Sequence, residues 1–304
     1  MLIDLSDRAK FKVTGPDRVR FLNGQLTNDI LSLHTGSAIS ACALTAKGKL
    51  CADLFVAATN ESHYLDAEAI LRESLMARLE KYIIADDVTL EDSTDEFGLF
   101  HLVSPEFAET GTEDPALAAP SDPEDTVRMA SNRFGRPGVD LWFPAGQAAM
   151  VQERLQQAPI DLETAENLRI ERGIARWGSE LSEDVIPNEA GLDKRAISYT
   201  KGCYLGQEVI SRIKSVGHVN RHLCGLVPAV DCLFVVGDKL FSDEESKKEI
   251  GFITSVGRSR SLERPIALGY VRRGFTVPGS ILQVRRNHTL IGPVEVHPLP
   301  FTSA

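Results

Sequence analysis

The run 199–212, Y-T-K-G-C-Y-L-G-Q-E-V-I-S-R, sets one cysteine between two glycines, with a lysine ahead and a Gln-Glu pair behind. It suits neither a helix core nor a strand core. Residues 207–213 read as a short helix entered through Gly206. A cysteine near a helix start and beside Lys201 has its thiolate favoured, which suits nucleophilic or metal-binding sulfur chemistry. Gly202 and Gly206 let backbone approach a ligand or partner closely. The alternative is a small apolar side chain packed in a turn, since free cysteine is often buried and inert. The other cysteines, Cys42, Cys51, Cys224 and Cys232, sit in strand-like apolar surroundings and read as core.

Two carboxylates stand out beside that cysteine. In D-L-E-T-A-E-N-L-R-I-E-R-G, residues 163–172 read as a helix capped by Asp161 or Thr164 and ended by Gly173. Glu171 falls in its last turn, where a carboxylate opposes the helix dipole and where Arg169 and Arg172 are its neighbours. So placed, it suits the N–H groups of a ligand; an exposed surface ion pair is the bland alternative. Asp53 interrupts the apolar strand of A-K-G-K-L-C-A-D-L-F-V. It faces solvent by simple alternation or reaches into a pocket, and spacing does not choose.

The elements that must position these residues follow from pattern. Residues 9–14 alternate as a strand, and G-P-D-R-V-R-F-L-N-G opens a helix with Pro16 suited to its first position. Val19, Leu22, Leu26 and Ile30 fall on one face, with Gly24 and Thr27 interrupting. Residues 38–45 and 50–57 form a hairpin across A-K-G-K, and 67–83 an amphipathic helix. Strands follow near 87–91, 97–103, 126–131 and 138–143, with a surface loop at 105–125 and a helix at 147–156. After residue 215 short β-rich segments recur at 219–227, 233–236, 249–256, 266–273 and 280–285, the pattern of a small antiparallel barrel or sandwich. The fold class is α+β, divided as 1–218 (two subdomains) and a β-barrel domain at 219–304.

Composition excludes several classes. The 304 residues are 43% hydrophobic and 25% charged, an ordinary globular balance. No apolar run approaches a membrane span, and the N-terminal residues lack a secretory layout, so a cytoplasmic protein without membrane partners is expected. Five cysteines without a C-x2-C pair argue against a disulfide framework, a zinc knuckle or a self-contained iron–sulfur site. His218 and His222 are four apart on a strand-like segment, where they lie far from each other. No GxGxxG or P-loop occurs. The net charge of -10 disfavours direct nucleic-acid binding, although residues 201–304 carry 14 basic and 9 acidic side chains.

K-G-C-Y-L-G-Q-E-V-I-S-R resembles the signature of the YgfZ-type folate-binding proteins, relatives of the glycine-cleavage T-protein, the aminomethyltransferase. G-P-D-R-V-R-F-L-N-G-Q-L-T-N-D-I is similar to the family's opening helix. R-I-E-R-G-I-A-R-W-G-S-E-L-S-E-D-V-I-P-N-E-A-G-L resembles the stretch before the signature, and I-G-F-I-T-S-V-G-R-S with I-A-L-G-Y-V-R-R the barrel. The resemblance covers nearly the whole chain. It implies a folate-binding mixed α/β region followed by a small barrel, with tetrahydrofolate or a derivative as cofactor. It implies a role in assembling or repairing iron–sulfur proteins, including tRNA-modifying enzymes, so assembly or client proteins are the implied partners. Cys203 is the implied functional thiol with Lys201 beside it, and Glu171 the implied pterin contact. A pterin ring offers a donor pair of the kind Glu171 suits. Arg169, Asp53, Tyr204, Gln207 and Arg212 complete the expected ligand contacts. Arg212, with Lys214 and Arg221, is basic and is the expected rest for a polyglutamate tail.

One departure bears on mechanism. The T-proteins carry paired aspartates where this chain has Ala52 and Asp53. The expected function is therefore folate-dependent support of iron–sulfur proteins, with a one-carbon transferase as the alternative and catalysis itself left open.

Overall fold

A computed structural model describes residues 1–103, 126–229 and 232–301. The expected loop at 105–125 lies outside the described residues. The chain forms two compact units, one of Met1–Asp161 with Asp193–Val209, the other of Leu162–Leu192 with Ile210–Ala304. The sequence suggests one cut near residue 218; the second unit also takes in the earlier segment 162–192.

The first unit holds β1 (Leu2–Asp4), β2 (Ala9–Thr14), α1 (Arg18–Gln25), β3 (Ala38–Leu44), β4 (Leu50–Ala58), β5 (His63–Ala67), α2 (Arg72–Glu80), β6 (Thr89–Asp92), β7 (Phe97–Val103), β8 (Val127–Ser131), β9 (Gly138–Pro144) and α3 (Ala148–Leu155). They make a five-stranded sheet, β3-β4-β5-β2-β6, and a four-stranded sheet, β1-β7-β9-β8. Every strand pair in them is antiparallel. Ala57 and Tyr64 from one sheet pack with Leu99, Met129 and Trp142 from the other. A buried ionic chain also joins them: Arg133 holds Asp66 through both terminal nitrogens (2.9 and 2.5 Å) and Asp140 through Nε (2.8 Å). His101 Nδ1 lies 2.7 Å from the same Asp140 oxygen.

The first helix begins at Arg18 behind Asp17, not at Pro16. Gly15 takes a left-handed φ of +99° in the turn before it, where a Cβ would run into the Asp87 carbonyl. Gly24 remains helical, and the helix stops at Gln25 because the buried Thr27 hydroxyl has other partners. It donates to Ala196 O (2.6 Å) and accepts from Cys42 N (2.8 Å), which draws the chain off the helix axis. Leu26 and Ile30 are buried as expected, but beyond the helix. The helix expected from 67 starts only at Arg72, because His63–Ala67 is a central strand buried on both faces and shows no alternation.

The second unit holds α4 (Leu162–Glu171), most of α5 (Gln207–Ser215), β10 (Arg221–Pro228), β11 (Lys239–Phe241), β12 (Glu249–Arg258), β13 (Pro265–Arg272), β14 (Ile281–Arg286) and β15 (Thr289–His297). The six strands close a barrel in the order β10-β13-β12-β11-β14-β15. Leu226, Leu240, Ile253, Val271, Val284 and Val294 fill its core. The fold class is α+β with a closed antiparallel C-terminal barrel, as the sequence implied. Residues 233–236 are not a strand; Asp238 accepts from Val235 N (2.9 Å), and the strand starts after Gly237 turns at φ +92°. The closing strand β15 has no counterpart among the sequence expectations. No helix among the described residues is long and apolar enough to cross a membrane.

Candidate functional site

Within the first unit the signature segment is fastened to the end of α1. Lys201 Nζ donates to the carbonyls of Asn23 (2.6 Å), Leu26 (2.7 Å) and Asn28 (2.8 Å), where α1 ends. One ammonium thus satisfies carbonyls that a helix end leaves without intrahelical donors. Burial pulls this lysine down to about 8, with Asp29 acting the other way, so it remains mostly charged at neutral pH. Its three N–H groups are used on backbone, which makes Lys201 a clasp for the loop. Leu205 N adds a bond to Gly24 O (3.2 Å). Beyond the clasp, Gly206 turns at φ +88°, and a Cβ there would stand 2.6 Å from Thr45 O. A Cβ on Gly48, in the β3–β4 turn, would stand 2.8 Å from Val209 Cβ. The hairpin turn and the start of α5 therefore meet through two glycines.

Held this way, the segment sorts its side chains by exposure. Cys203 is exposed, while Tyr204 is buried beside it. The ammonium of Lys201 lies 5.2 Å from the centre of the Tyr204 ring. Burial pushes the Tyr204 hydroxyl above the phenol range, and Tyr199 and Cys42 add to the effect. Gln207 is half-buried at the first position of α5.

Asp53 answers the question left by its spacing. The pleat of β4 puts Cys51, Asp53 and Phe55 on one face and Leu50, Ala52, Leu54 and Val56 on the other. The second set is buried to 1% exposure or less. Asp53 pairs with Cys42 across the sheet and keeps Oδ1 buried without a hydrogen-bond partner. Burial raises its carboxyl to about 6; Glu68 also raises it, while Arg8 and Arg195 pull it back. Arg195 likewise keeps Nη1 buried without a partner. Burial lowers that guanidinium, and Asp53 and Cys42 oppose the shift. Burial drives the Cys42 thiol far up, with Asp53 adding to it. Asp53, Arg195, Cys42 and Tyr204 are thus linked through their fields.

An unpaired acceptor on Asp53 and an unpaired donor on Arg195 can together receive a polar heterocycle carrying N–H and C=O groups. A carboxyl titrating near 6 can also hold or pass a proton. Arg195 and Cys42 are the residues that sequence reading missed. The K-R-A-I run before the signature held the only signal, an arginine close to the cysteine motif.

The remaining expected residues belong to the second unit. The five N–H groups of Arg169 make five bonds: to Glu166 (2.8 and 2.6 Å), Glu180 (2.9 Å), Ser255 (2.7 Å) and Ile174 O (2.5 Å). No donor is left for a ligand, so Arg169 anchors α4 and its loop instead. Glu171 is 7% exposed, not a surface residue. Its Oε1 accepts from Ser259 Oγ (2.5 Å), Ser261 Oγ (2.6 Å) and Ser261 N (3.2 Å). Burial alone would raise this carboxyl, but those bonds and Arg172 hold it below the usual range. Arg212 is exposed in the last turn of α5, while Arg221 bonds Glu189 (3.2 Å) and lies 4.5 Å over the Tyr270 ring.

Residues 1–110 match the GCVT N-terminal domain, and residues 221–302 match the glycine cleavage T-protein C-terminal barrel domain. An aminomethyltransferase of Listeria monocytogenes serotype 4b is 28% identical over 322 residues, covering 99% of this chain and 86% of that protein. An iron-sulfur cluster assembly factor IBA57 homolog, mitochondrial, of Dictyostelium discoideum is 26% identical over 258 residues, covering 75% of this chain and 63% of that protein. The crystal structure of the glycine cleavage system aminomethyltransferase T from Bartonella henselae superposes with a TM-score of 0.85 at 24% identity, covering 99% of this chain and 86% of that one. With these two domain matches in this order, the chain has an aminomethyltransferase-like fold.

Proposed function

We propose that this protein binds tetrahydrofolate or a derivative and supports the assembly or repair of iron–sulfur proteins, tRNA-modifying enzymes among them, through Cys203. The observation that carries the folate part is the pair of buried unpaired atoms, Asp53 Oδ1 and Arg195 Nη1. Their acceptor and donor fit the N–H and C=O edge of a reduced pterin, and Tyr204 and Gln207 sit on the loop that follows Arg195 in sequence. In the second unit, taken by itself, the resemblance implies an acceptor at Glu171 and a resting point for a polyglutamate tail at the exposed Arg212. When bound, the folate would supply a one-carbon unit or a reduced ring. The chain's own residues bind it, orient it and hold a proton at Asp53.

The sulfur part rests on an exposed thiol in a loop clasped at Lys201 and turned at Gly206, and on the likeness to an iron–sulfur cluster assembly factor. Cys203 presents its sulfur to a client or assembly protein, and Lys201 positions the loop. The test is deletion of the gene with rescue by wild-type or Cys203→Ala protein, reading iron–sulfur enzyme activities. Full rescue by the alanine variant removes the thiol from the mechanism. Calorimetric titration with tetrahydrofolate tests the ligand.

Aminomethyl transfer is the second reading, and one observation favours it. Ala52 stands where the T-proteins carry their first aspartate, but it points to the opposite face of β4 from Asp53 and is fully buried. A carboxylate at 52 would not join Asp53 on its face, so its absence leaves the Asp53 arrangement intact. Turnover with the reduced glycine-cleavage carrier protein and tetrahydrofolate decides between the readings.

A further inference from the structure

Arg221 and Arg272 are direct cross-strand partners where β10 meets β13. Val271 lies in the barrel core, so Arg272 and, two residues before it, Tyr270 point outward. Residues opposite each other on antiparallel strands share a face, and like charges placed so repel. Arg272 is exposed at the end of β13, and its guanidinium meets no carboxylate among the described residues. The pairing is therefore kept at a cost to stability. Both arginines line one open groove of about 510 Å³, together with Asn220, Gly251, Phe252 and Tyr270. All of these residues belong to the second unit.

The groove is held in shape by the barrel. Arg221 Cζ lies 4.5 Å over the Tyr270 ring, and its Nη2 donates to Glu189 (3.2 Å). Tyr270 is 2% exposed and its hydroxyl donates to Glu180 O (3.0 Å), so the ring under Arg221 is itself fixed. Phe252, opposite Tyr270 on β12, has its ring centre 5.9 Å from the tyrosine ring. Gly251 lets β12 close on β13 here, since a Cβ on it would run into the Tyr270 carbonyl. Glu249 also lines the groove, but it is paired with Lys239 (3.0 Å). Two guanidiniums remain, one with a single carboxylate partner and one with none.

We propose that this groove binds a phosphate monoester, with the phosphate shared between Arg221 and Arg272 and the body of the ligand against Phe252. A dianion with three terminal oxygens accepts from two guanidinium forks at once and turns their repulsion into attraction. A single carboxylate, such as Glu189 supplies, satisfies Arg221 and leaves Arg272 alone. The volume exceeds what inorganic phosphate fills and falls in the range of sites for small organic ligands. The half-buried Phe252 offers such a ligand an apolar surface. The site is independent of the folate reading, because Asp53 and Arg195 belong to the first unit.

The full chain is titrated with phenyl phosphate by calorimetry and by amide NMR, at about 20 mM and about 150 mM sodium chloride. Resonance shifts are expected at Asn220, Arg221, Gly251, Phe252, Tyr270 and Arg272, and affinity should fall with salt. Arg272→Ala should weaken binding about tenfold or more, as for the loss of a charge-assisted pair. Arg272→Lys keeps the charge but loses the fork, and should fall between. Arg273→Ala removes the same charge from an exposed neighbour outside the groove, and should change affinity by no more than about twofold, as for a screened charge. Without ligand, Arg272→Thr should melt higher than wild type at low salt, and the difference should shrink as salt rises. Each of these variants changes one exposed side chain and is expected to fold. Equal losses in Arg272→Ala and Arg273→Ala overturn the proposal, since binding then follows general charge. Benzoate or a γ-linked triglutamate that binds as tightly as phenyl phosphate overturns the assignment to phosphate. A ligand-free Arg272→Thr that melts lower than wild type shows that the pair is not kept at a cost, and also counts against it. No shift in the groove at millimolar phenyl phosphate ends the proposal, whatever the tetrahydrofolate titration shows.

Discussion

Asp53 and Arg195 attract each other, yet each keeps one buried atom without a hydrogen-bond partner. A pair assembled only for stability would close those bonds, because an unsatisfied buried group costs about 1–3 kcal/mol. Left open, the two atoms define an acceptor and a donor for something that is not the chain itself.

The Asp53 carboxyl sits at about 6, above its ordinary 3.8, chiefly through burial. Between those values the folded state binds more protons than the unfolded chain, so stability falls as pH rises from about 4 to about 6. Asp53→Asn is expected to remove that loss and to stabilise the ligand-free protein at pH 7 by about 2–3 kcal/mol, at 1.36 kcal/mol per pH unit. Urea unfolding of both proteins across this window measures it. Tetrahydrofolate binding should weaken in the same variant.

Ala52→Asp restores the aspartate pair in sequence but places the new carboxylate in the fully buried face of β4. A loss of about 3 kcal/mol or more is expected, as for an uncompensated buried charge, with no gain in aminomethyl transfer. A folded variant with raised turnover would show that residue 52 reaches the Asp53 face.

Removing the clasp with Lys201→Met leaves the carbonyls of Asn23, Leu26 and Asn28 without their shared donor. The expected loss is about 3 kcal/mol. Faster amide exchange at residues 23–28 and 201–206 should accompany it. Exchange confined to the signature loop would mean that other groups hold the end of α1.

Gly206→Ala puts a Cβ 2.6 Å from Thr45 O at a left-handed φ of +88°. A cost of about 2–3 kcal/mol is expected, together with weaker rescue of iron–sulfur enzyme activity. Gly202 has open space around it. Gly202→Ala should be tolerated within about 1 kcal/mol.

Iodoacetamide should label Cys203 ahead of Cys42 and Cys224. Cys203 is exposed, whereas Cys42 and Cys224 are buried and burial raises both thiols, Cys224 to about 11. Cys203→Ser should keep stability within about 0.5 kcal/mol, as an exposed substitution does, and lose rescue of iron–sulfur enzymes. Mass-spectrometric mapping of the labelled protein reads the order of reaction.

The sequence by itself carried the local and periodic parts of this protein. Strand β2, the β3–β4 hairpin, α3 and the barrel segments announced themselves through alternation, glycine turns and 3–4 spacing. The K-G-C-Y-L-G-Q-E run marked the candidate functional loop, because two glycines around a cysteine have no use in a regular element. Where local pattern and long-range bonding competed, pattern misled: Thr27 left the helix for partners at Cys42 and Ala196, and β5 lost its alternation by being buried on both faces. Only the tertiary structure decided which way charged groups turn. It gave all five donors of Arg169 to its own neighbours, set Lys201 on backbone carbonyls, and put Arg195 in the field of Asp53 from 142 positions away. Those outcomes depend on which distant groups share a buried space, and a low dielectric makes such pairings strong without leaving a trace in spacing.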